Sequence, residues 1–185
     1  MVHSANQPPT HERLVAAALA EFSEHGYAGT DSNRIARRAG YAPQTFYRWY
    51  ADKTAIFVAA YRLWADEEFA ALQALASQRA ASSRLAQAIV DHHRRHLRFR
   101  RSLRLLALEQ EAVRQARADS RRLQIDALRG ARPASAATLA AMAVHLLQLE
   151  RLADAIADGE FEDLGVEPRA ALKAMAVLID ALRDA

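Results

Sequence analysis

The stretch Ile35–Phe57, IARRAGYAPQTFYRWYADKTAIF, constrains this chain more than any other. Ile35, Ala36 and Ala39 fall on one helical face, and Ala36 is small enough for a second helix to cross close by. Gly40 follows. A glycine just past a helix end adopts the left-handed conformation without steric cost, so the spacing predicts a tight reversal here.

Pro43 suits the first position of a new helix, where its missing amide hydrogen would have had no partner. Phe46 and Tyr50, four residues apart, predict an inward-facing pair that leaves Gln44, Thr45, Arg48 and Trp49 on other faces. Two short helices joined by a tight turn make a helix-turn-helix. Its second helix enters the major groove of DNA and presents residues near its N-terminus to base edges.

The rest of the chain predicts an all-α fold. Alanine, leucine and arginine are abundant, glycine is scarce at 6 of 185 residues, and strand-type alternation is rare. With no cysteine, disulfides, thiolate metal sites and a cysteine nucleophile are excluded. No apolar run reaches about 18 residues, and residues 1–9, MVHSANQPP, lack the apolar centre of a signal peptide. The expectation is a cytoplasmic protein with no membrane partner and a flexible N-terminal arm over residues 1–9. The net charge of +3 is less informative than its distribution. Arg34, Arg37, Arg38, Arg48 and Lys53 crowd the expected DNA-facing region, while Glu12, Glu21 and Glu24 lie on the first helix.

Beyond residue 51 the patterning predicts a fourth helix from about Asp52 or Lys53 to Ser77 and a fifth, capped by Ser83, to about Phe99. A sixth is expected from Ser102 to Gln115 and a seventh from Asp119 to Arg129, with Gly130–Pro133 as a breaker. Two strongly apolar helices end the chain. Ser135 to about Asp158, closed by Gly159, carries Leu139, Met142, Leu146, Leu149, Leu152 and Ile156; Pro168 to about Arg183 carries Leu172, Met175, Ile179 and Leu182.

Residues 10–52, with LVAAALAEFSEHGYAGT, RIARRAG and TFYRWYADK in that order, resemble the DNA-binding domain of the TetR family of transcriptional regulators. That resemblance implies an N-terminal three-helix helix-turn-helix domain over 10–52 and a C-terminal helical ligand-binding and dimerisation domain over 53–185. It further implies a ligand-responsive repressor that binds a palindromic operator in double-stranded DNA as a homodimer and is released by a small-molecule effector. Carried over by position, Pro43, Gln44, Thr45 and Arg48 face bases or the groove edge, Tyr47, Trp49 and Lys53 face phosphates, and Thr30, Ser32 and Asn33 approach the backbone or an adjacent base. The two apolar stripes of the last helices would form a four-helix interface with their copies; an intramolecular core is the alternative. The chain departs from the family pattern at four positions. Ala42 stands where a capping serine is usual, a loss of about 1 kcal/mol of helix stability, Gln44 where glycine is frequent, Trp49 where histidine is usual and Tyr50 where phenylalanine is usual.

Two further features invite chemistry. In HHRRH, His92 and His96 lie one turn apart, but no nearby carboxylate pattern completes a ligand set and the flanking arginines would repel a cation, so no metal and no cofactor is expected. Arg94, Arg95, Arg98, Arg100, Arg101 and Arg104 form either a wall for an anionic effector or a helix surface balanced by acids on its neighbours. Trp64, Phe69, His96, Phe99, Leu105, Leu106, Leu108 and Met142 are the candidates for a ligand pocket. Enzyme chemistry finds no support, because there is no phosphate loop, nucleophile elbow or metal cluster, and Glu109 and Glu111 sit on different helix faces. The competing non-enzymatic reading is a helical ligand-binding or scaffold dimer with degenerate DNA recognition, suggested by Ala42, Trp49 and Tyr50.

Overall fold

The computed structural model describes residues 8–130 and 135–184. The expected arm over residues 1–9 lies outside them except for its last two residues, and so does most of the Gly130–Pro133 breaker. The described residues form ten helices: α1 (Thr10–His25), α2 (Ser32–Arg38), α3 (Pro43–Tyr47), α4 (Lys53–Ser77), α5 (Ser82–Arg95), α6 (Leu97–Glu109), α7 (Glu111–Arg129), α8 (Ala136–Asp158), α9 (Glu160–Asp163) and α10 (Pro168–Asp184). The all-α fold expected from composition is present.

Local chemistry explains most helix ends. Asp31 and Asp52 cap α2 and α4 by accepting the amides of Arg34 and Ala55, each at 2.8 Å, and Ser135 caps α8 through Thr138 at 3.1 Å. Gly159 ends α8 in the left-handed conformation at φ 84°. The expected boundaries differ in the middle of the chain. The fifth helix breaks at His96 (φ −118°, ψ 32°) rather than running to Phe99, and α6 ends at Glu109 rather than near Gln115. No glycine or proline marks the break at His96. It is stabilised by tertiary contact, since the His96 ring reaches Ser23 of α1.

Two apolar clusters organise the packing. The first joins α1–α4 to α6 and α7 around Leu14, Phe22, Ile35, Phe46, Phe57, Phe99 and Leu103. Phe57 sits at its centre, 4.9 Å from the Phe22 ring, 5.3 Å from Tyr27 and 5.0 Å from Phe99, so the N-terminal helices rest on α4 and α6 through a continuous aromatic seam. The second lies among α5, α8 and α10, with Val90, Met142, Leu149, Ile156, Met175 and Ile179 at its core.

This second cluster bears on the expected dimer stripe. Met142, Leu149, Ile156, Met175, Ile179 and Leu182 are buried within the protomer, and Leu139, Leu146, Leu152 and Leu172 are half-buried. The stripe is largely an intramolecular core. A second stripe, Ala140, Val144, Leu147 and Arg151 on α8 with Ala170, Ala174 and Val177 on α10, is exposed instead.

Candidate nucleic-acid interface and ligand cavity

The reversal between α2 and α3 depends on Gly40, which has φ +80°. A Cβ there would lie 3.1 Å from an Arg13 guanidinium nitrogen, and that same Nη2 donates to the Ala39 carbonyl at 2.8 Å. α3 has Pro43 at its start and no side-chain cap at Ala42. Phe46 is fully buried beneath it. Tyr47 and Trp49 are 60 % and 52 % exposed, and Gln44 and Arg48 are exposed beside them.

The Tyr47 hydroxyl lies 2.8 Å from the Ser32 hydroxyl, linking α2 to α3, and the Trp49 ring rests 5.2 Å from His11 of α1. These contacts orient both aromatic side chains without covering them. Pro43 and Thr45 are half-buried and Asn33 is exposed on the same side of the domain.

The basic residues divide sharply. Glu21, buried on α1, accepts from Arg34 at 3.0 Å and Arg38 at 3.1 Å, and Glu24 accepts from Arg38 at 2.8 and 2.5 Å. Burial alone would raise the Glu21 carboxyl, but the two guanidinium hydrogen bonds outweigh it and hold the group ionised below its ordinary range. Arg34 and Arg38 therefore brace α2 against α1. Arg37 and Arg48 are exposed and make no ion pair among the described residues.

Two residues expected at the DNA are turned into the domain. Thr30 is buried, with its hydroxyl donating to the Glu21 carbonyl at 3.3 Å. The Lys53 ammonium donates to the carbonyls of Tyr27 at 2.9 Å and Thr30 at 3.0 Å and lies 4.0 Å over the Tyr27 ring. Burial lowers its pKa from the ordinary value. Lys53 thus ties the start of α4 to the loop that precedes α2.

A cavity of about 220 Å³ lies between α4, α5, α6, α7, α8 and α10. Its apolar wall includes Trp64, Phe69, Leu72, Ile89, Leu146 and Leu149, and its polar end is formed by Glu68, His93, Arg100, Arg121 and Glu150. Of the residues expected to line a pocket, Trp64 and Phe69 do so. Phe99, Leu106 and Met142 are core, His96 is at the α1–α5 contact, and Leu105 and Leu108 face solvent.

The polar end is a connected ion network. Arg100, only 1 % exposed, donates Nε to Asp154 at 3.0 Å, Nη2 to Asp154 at 2.9 Å and Nη2 to Glu150 at 3.1 Å, while its guanidinium sits 4.6 Å over Trp64. His93 spans Asp154 at 2.8 Å and Glu68 at 3.1 Å. Glu150 also accepts from Arg117 and Arg121, each at 2.6 Å, and although burial pushes its carboxyl up, these three guanidiniums hold it at about 2. The arginine run is balanced mainly by acids of α8: Arg101 pairs with Asp158 at 2.8 Å, and Arg104 pairs with Asp154 at 3.1 Å and also with Asp158.

Sequence spacing missed most of this cavity because its residues come from six helices. The only local signals were the HHRRH run, which holds His93, and the arginine run, which holds Arg100.

Residues 14–60 match the family described as bacterial regulatory proteins, tetR family. The chain carries a match to that family's helix-turn-helix domain in its N-terminal helices, α1 to α4. Its whole fold resembles solved structures at low identity. A Rhodococcus sp. protein described as a TetR-family transcriptional regulator superposes with a TM-score of 0.69 at 16% identity, covering 94% of this chain and 98% of the other. The fatty acid degradation regulator FadR from Bacillus halodurans gives 0.62 at 14% identity, covering 94% and 95%. The multidrug binding protein EbrR, solved with imidazole, gives 0.63 at 22% identity, covering 93% and 96%. Among curated proteins, none matches this sequence. No helix among the described residues is long and apolar enough to cross a membrane.

Proposed function

We propose that this regulator binds a palindromic operator as a homodimer in the cytoplasm and is released from it by a small molecule held in the cavity. The observation that carries the reading is the exposed surface of α3 and its flank. Gln44, Thr45 and Arg48 present polar groups for base edges, Tyr47 and Trp49 present a hydroxyl and an indole N–H for phosphates, and Ser32 and Asn33 flank them. Arg48 is the group for guanine, whose two acceptors match a guanidinium. Pro43 presets the helix start at the groove edge, whereas Thr30 and Lys53 position the surface from behind.

The dimer forms through the outward stripe of α8 and α10. Its small apolar residues suit close helix approach across a two-fold axis. Coupling runs through α4, which carries Lys53 at its first turn and Tyr61, Trp64, Glu68 and Phe69 on the cavity. Tyr61 is about 12 Å along the helix from Lys53 at 1.5 Å per residue. A ligand that displaces the cavity wall shifts the Lys53 grip on Tyr27 and Thr30, and with it the spacing of the two recognition helices. The cavity is smaller than the roughly 300–1,000 Å³ of drug-sized pockets, so a compact ligand with an apolar body and a polar head fits it.

The test is selection of DNA fragments by the purified full-length protein, followed by binding titration across salt concentrations. A palindromic preference with a steep salt slope is expected, and Arg48→Ala should weaken specific binding by about 1–3 kcal/mol while relaxing preference at one position per half-site. Selection of no common sequence and a flat salt response would favour the scaffold alternative, for which the uncapped Ala42 start of α3 is the motivating observation.

A further inference from the structure

Glu67 of α4, His92 of α5 and His96 at the α5–α6 break place one ligand-type atom each within 4.8 Å of one another, apart from both the cavity wall and the DNA-facing surface. We propose that these three side chains form a site for a divalent transition-metal ion of the zinc class, seated where α4 and α5 meet α1.

The hydrogen bonds around the rings fix which nitrogen of each is free. His92 Nε2 lies 3.1 Å from the Trp64 carbonyl oxygen. A carbonyl only accepts, so Nε2 carries the ring hydrogen and Nδ1 keeps its lone pair. The same conclusion follows from Arg95, which can only donate and whose guanidinium lies 3.2 Å from His92 Nδ1. His96 Nδ1 lies 2.8 Å from Ser23 Oγ, and that hydroxyl gives its own hydrogen to the Leu19 carbonyl at 2.7 Å. Ser23 therefore accepts from His96 Nδ1–H, and His96 Nε2 keeps its lone pair.

Each imidazole thus keeps one nitrogen with a lone pair and is oriented by a hydrogen bond from its other ring nitrogen to a protein oxygen. That outer-shell arrangement fixes ring orientation at metal sites and raises ligand basicity. The exposed Glu67 supplies an oxygen. Two imidazoles and one carboxylate suit zinc-class ions over magnesium or calcium and leave a fourth position for water. Arg95 is exposed, and a bound ion would have to displace its guanidinium to take the His92 Nδ1 lone pair. Because His96 is bonded to Ser23, a bound ion also stiffens the contact between α1 and the α5–α6 break.

Metal-stripped full-length protein titrated with Zn²⁺ against a chromophoric chelator, and with Co²⁺ read by its visible d–d absorption, tests the site. One ion per protomer is expected, with a cobalt spectrum of four- or five-coordinate intensity. Glu67→Gln and His96→Gln should each weaken Zn²⁺ binding at least about tenfold, while His145→Gln on α8 leaves it unchanged. Binding that is equal in the parent protein, E67Q and H96Q, or a stoichiometry below one at micromolar Zn²⁺, overturns the site. Should H96Q lose its helical circular dichroism, the surface substitution E67Q decides alone.

Discussion

Replacing Asp154 by alanine should be among the most damaging single substitutions in the C-terminal helices. Its carboxylate accepts twice from Arg100 at 2.9 and 3.0 Å, lies 2.8 Å from His93 Nδ1 and pairs with Arg104 at 3.1 Å. In Asp154→Ala the Arg100 guanidinium stays buried with Glu150 as its remaining carboxylate partner. Breaking a buried pair from one side costs about 3–5 kcal/mol, and with a urea dependence of about 1–3 kcal/mol per molar the unfolding midpoint should fall by about 1–5 M. Both proteins must be compared at one protomer concentration, because the proposed dimer would make the midpoint depend on it. The pH profile adds a second check. Burial pushes His93 down, but the hydrogen bonds to Asp154 and Glu68 outweigh it and leave its pKa raised. A raised value means that stability from His93 is fully present below its unfolded pKa of about 6.5 and is lost as pH rises through the folded one. Asp154 behaves oppositely. Burial pushes it up, yet His93 and Arg100 leave it depressed, so its stability is present above about pH 4 and is lost as pH falls towards its folded value. The gap between parent and variant should therefore be widest near pH 5–6 and narrow above pH 7. A gap below about 1 kcal/mol at pH 6, or one that widens towards pH 9, would refute the account of this network.

Gly40→Ala forces a Cβ into a left-handed residue and against the Arg13 side chain, so a loss of about 1–2 kcal/mol is expected in urea unfolding; an unchanged midpoint would mean the turn relaxes freely. Val177→Glu places a charge on the outward face of α10, where valine is 66 % exposed in the protomer. Light scattering should then give a monomer with unchanged helical circular dichroism, and a dimer of undiminished affinity would move the interface elsewhere.

What the sequence revealed and what it hid divide along one physical line. Features set within a turn or two were legible: the Gly40 reversal, the Asp52 start of α4, and the Ser135 and Gly159 ends of α8 each need only a cap or a permissive φ. Features set by a neighbouring helix were not. Arg34 and Arg38 look available for DNA in the sequence, yet Glu21 and Glu24, ten or more positions earlier, take them up once α1 and α2 cross. The helix break at His96 carries no glycine or proline and depends on Ser23, far away in the chain.

The last two helices sharpen the point, because both of their faces are apolar and periodicity alone cannot choose between them. The longer side chains, Met142, Leu149, Met175 and Ile179, face inward, where α5 supplies Leu85 and Val90 to fill the space between them. Ala140, Val144, Ala174 and Val177 face outward, together with Leu147. Large side chains gain most from burial within a fold that closes first, while small ones let two helix backbones approach a partner that arrives later. On that reasoning the stripe richest in leucine and methionine marks the core, and the weaker stripe of Ala140, Val144, Ala174 and Val177 marks the proposed subunit contact. The same logic places Glu67 opposite His92 and His96. The HHRRH spacing shows the two imidazoles but not the carboxylate, and only the crossing of α4 and α5 brings Glu67 to them.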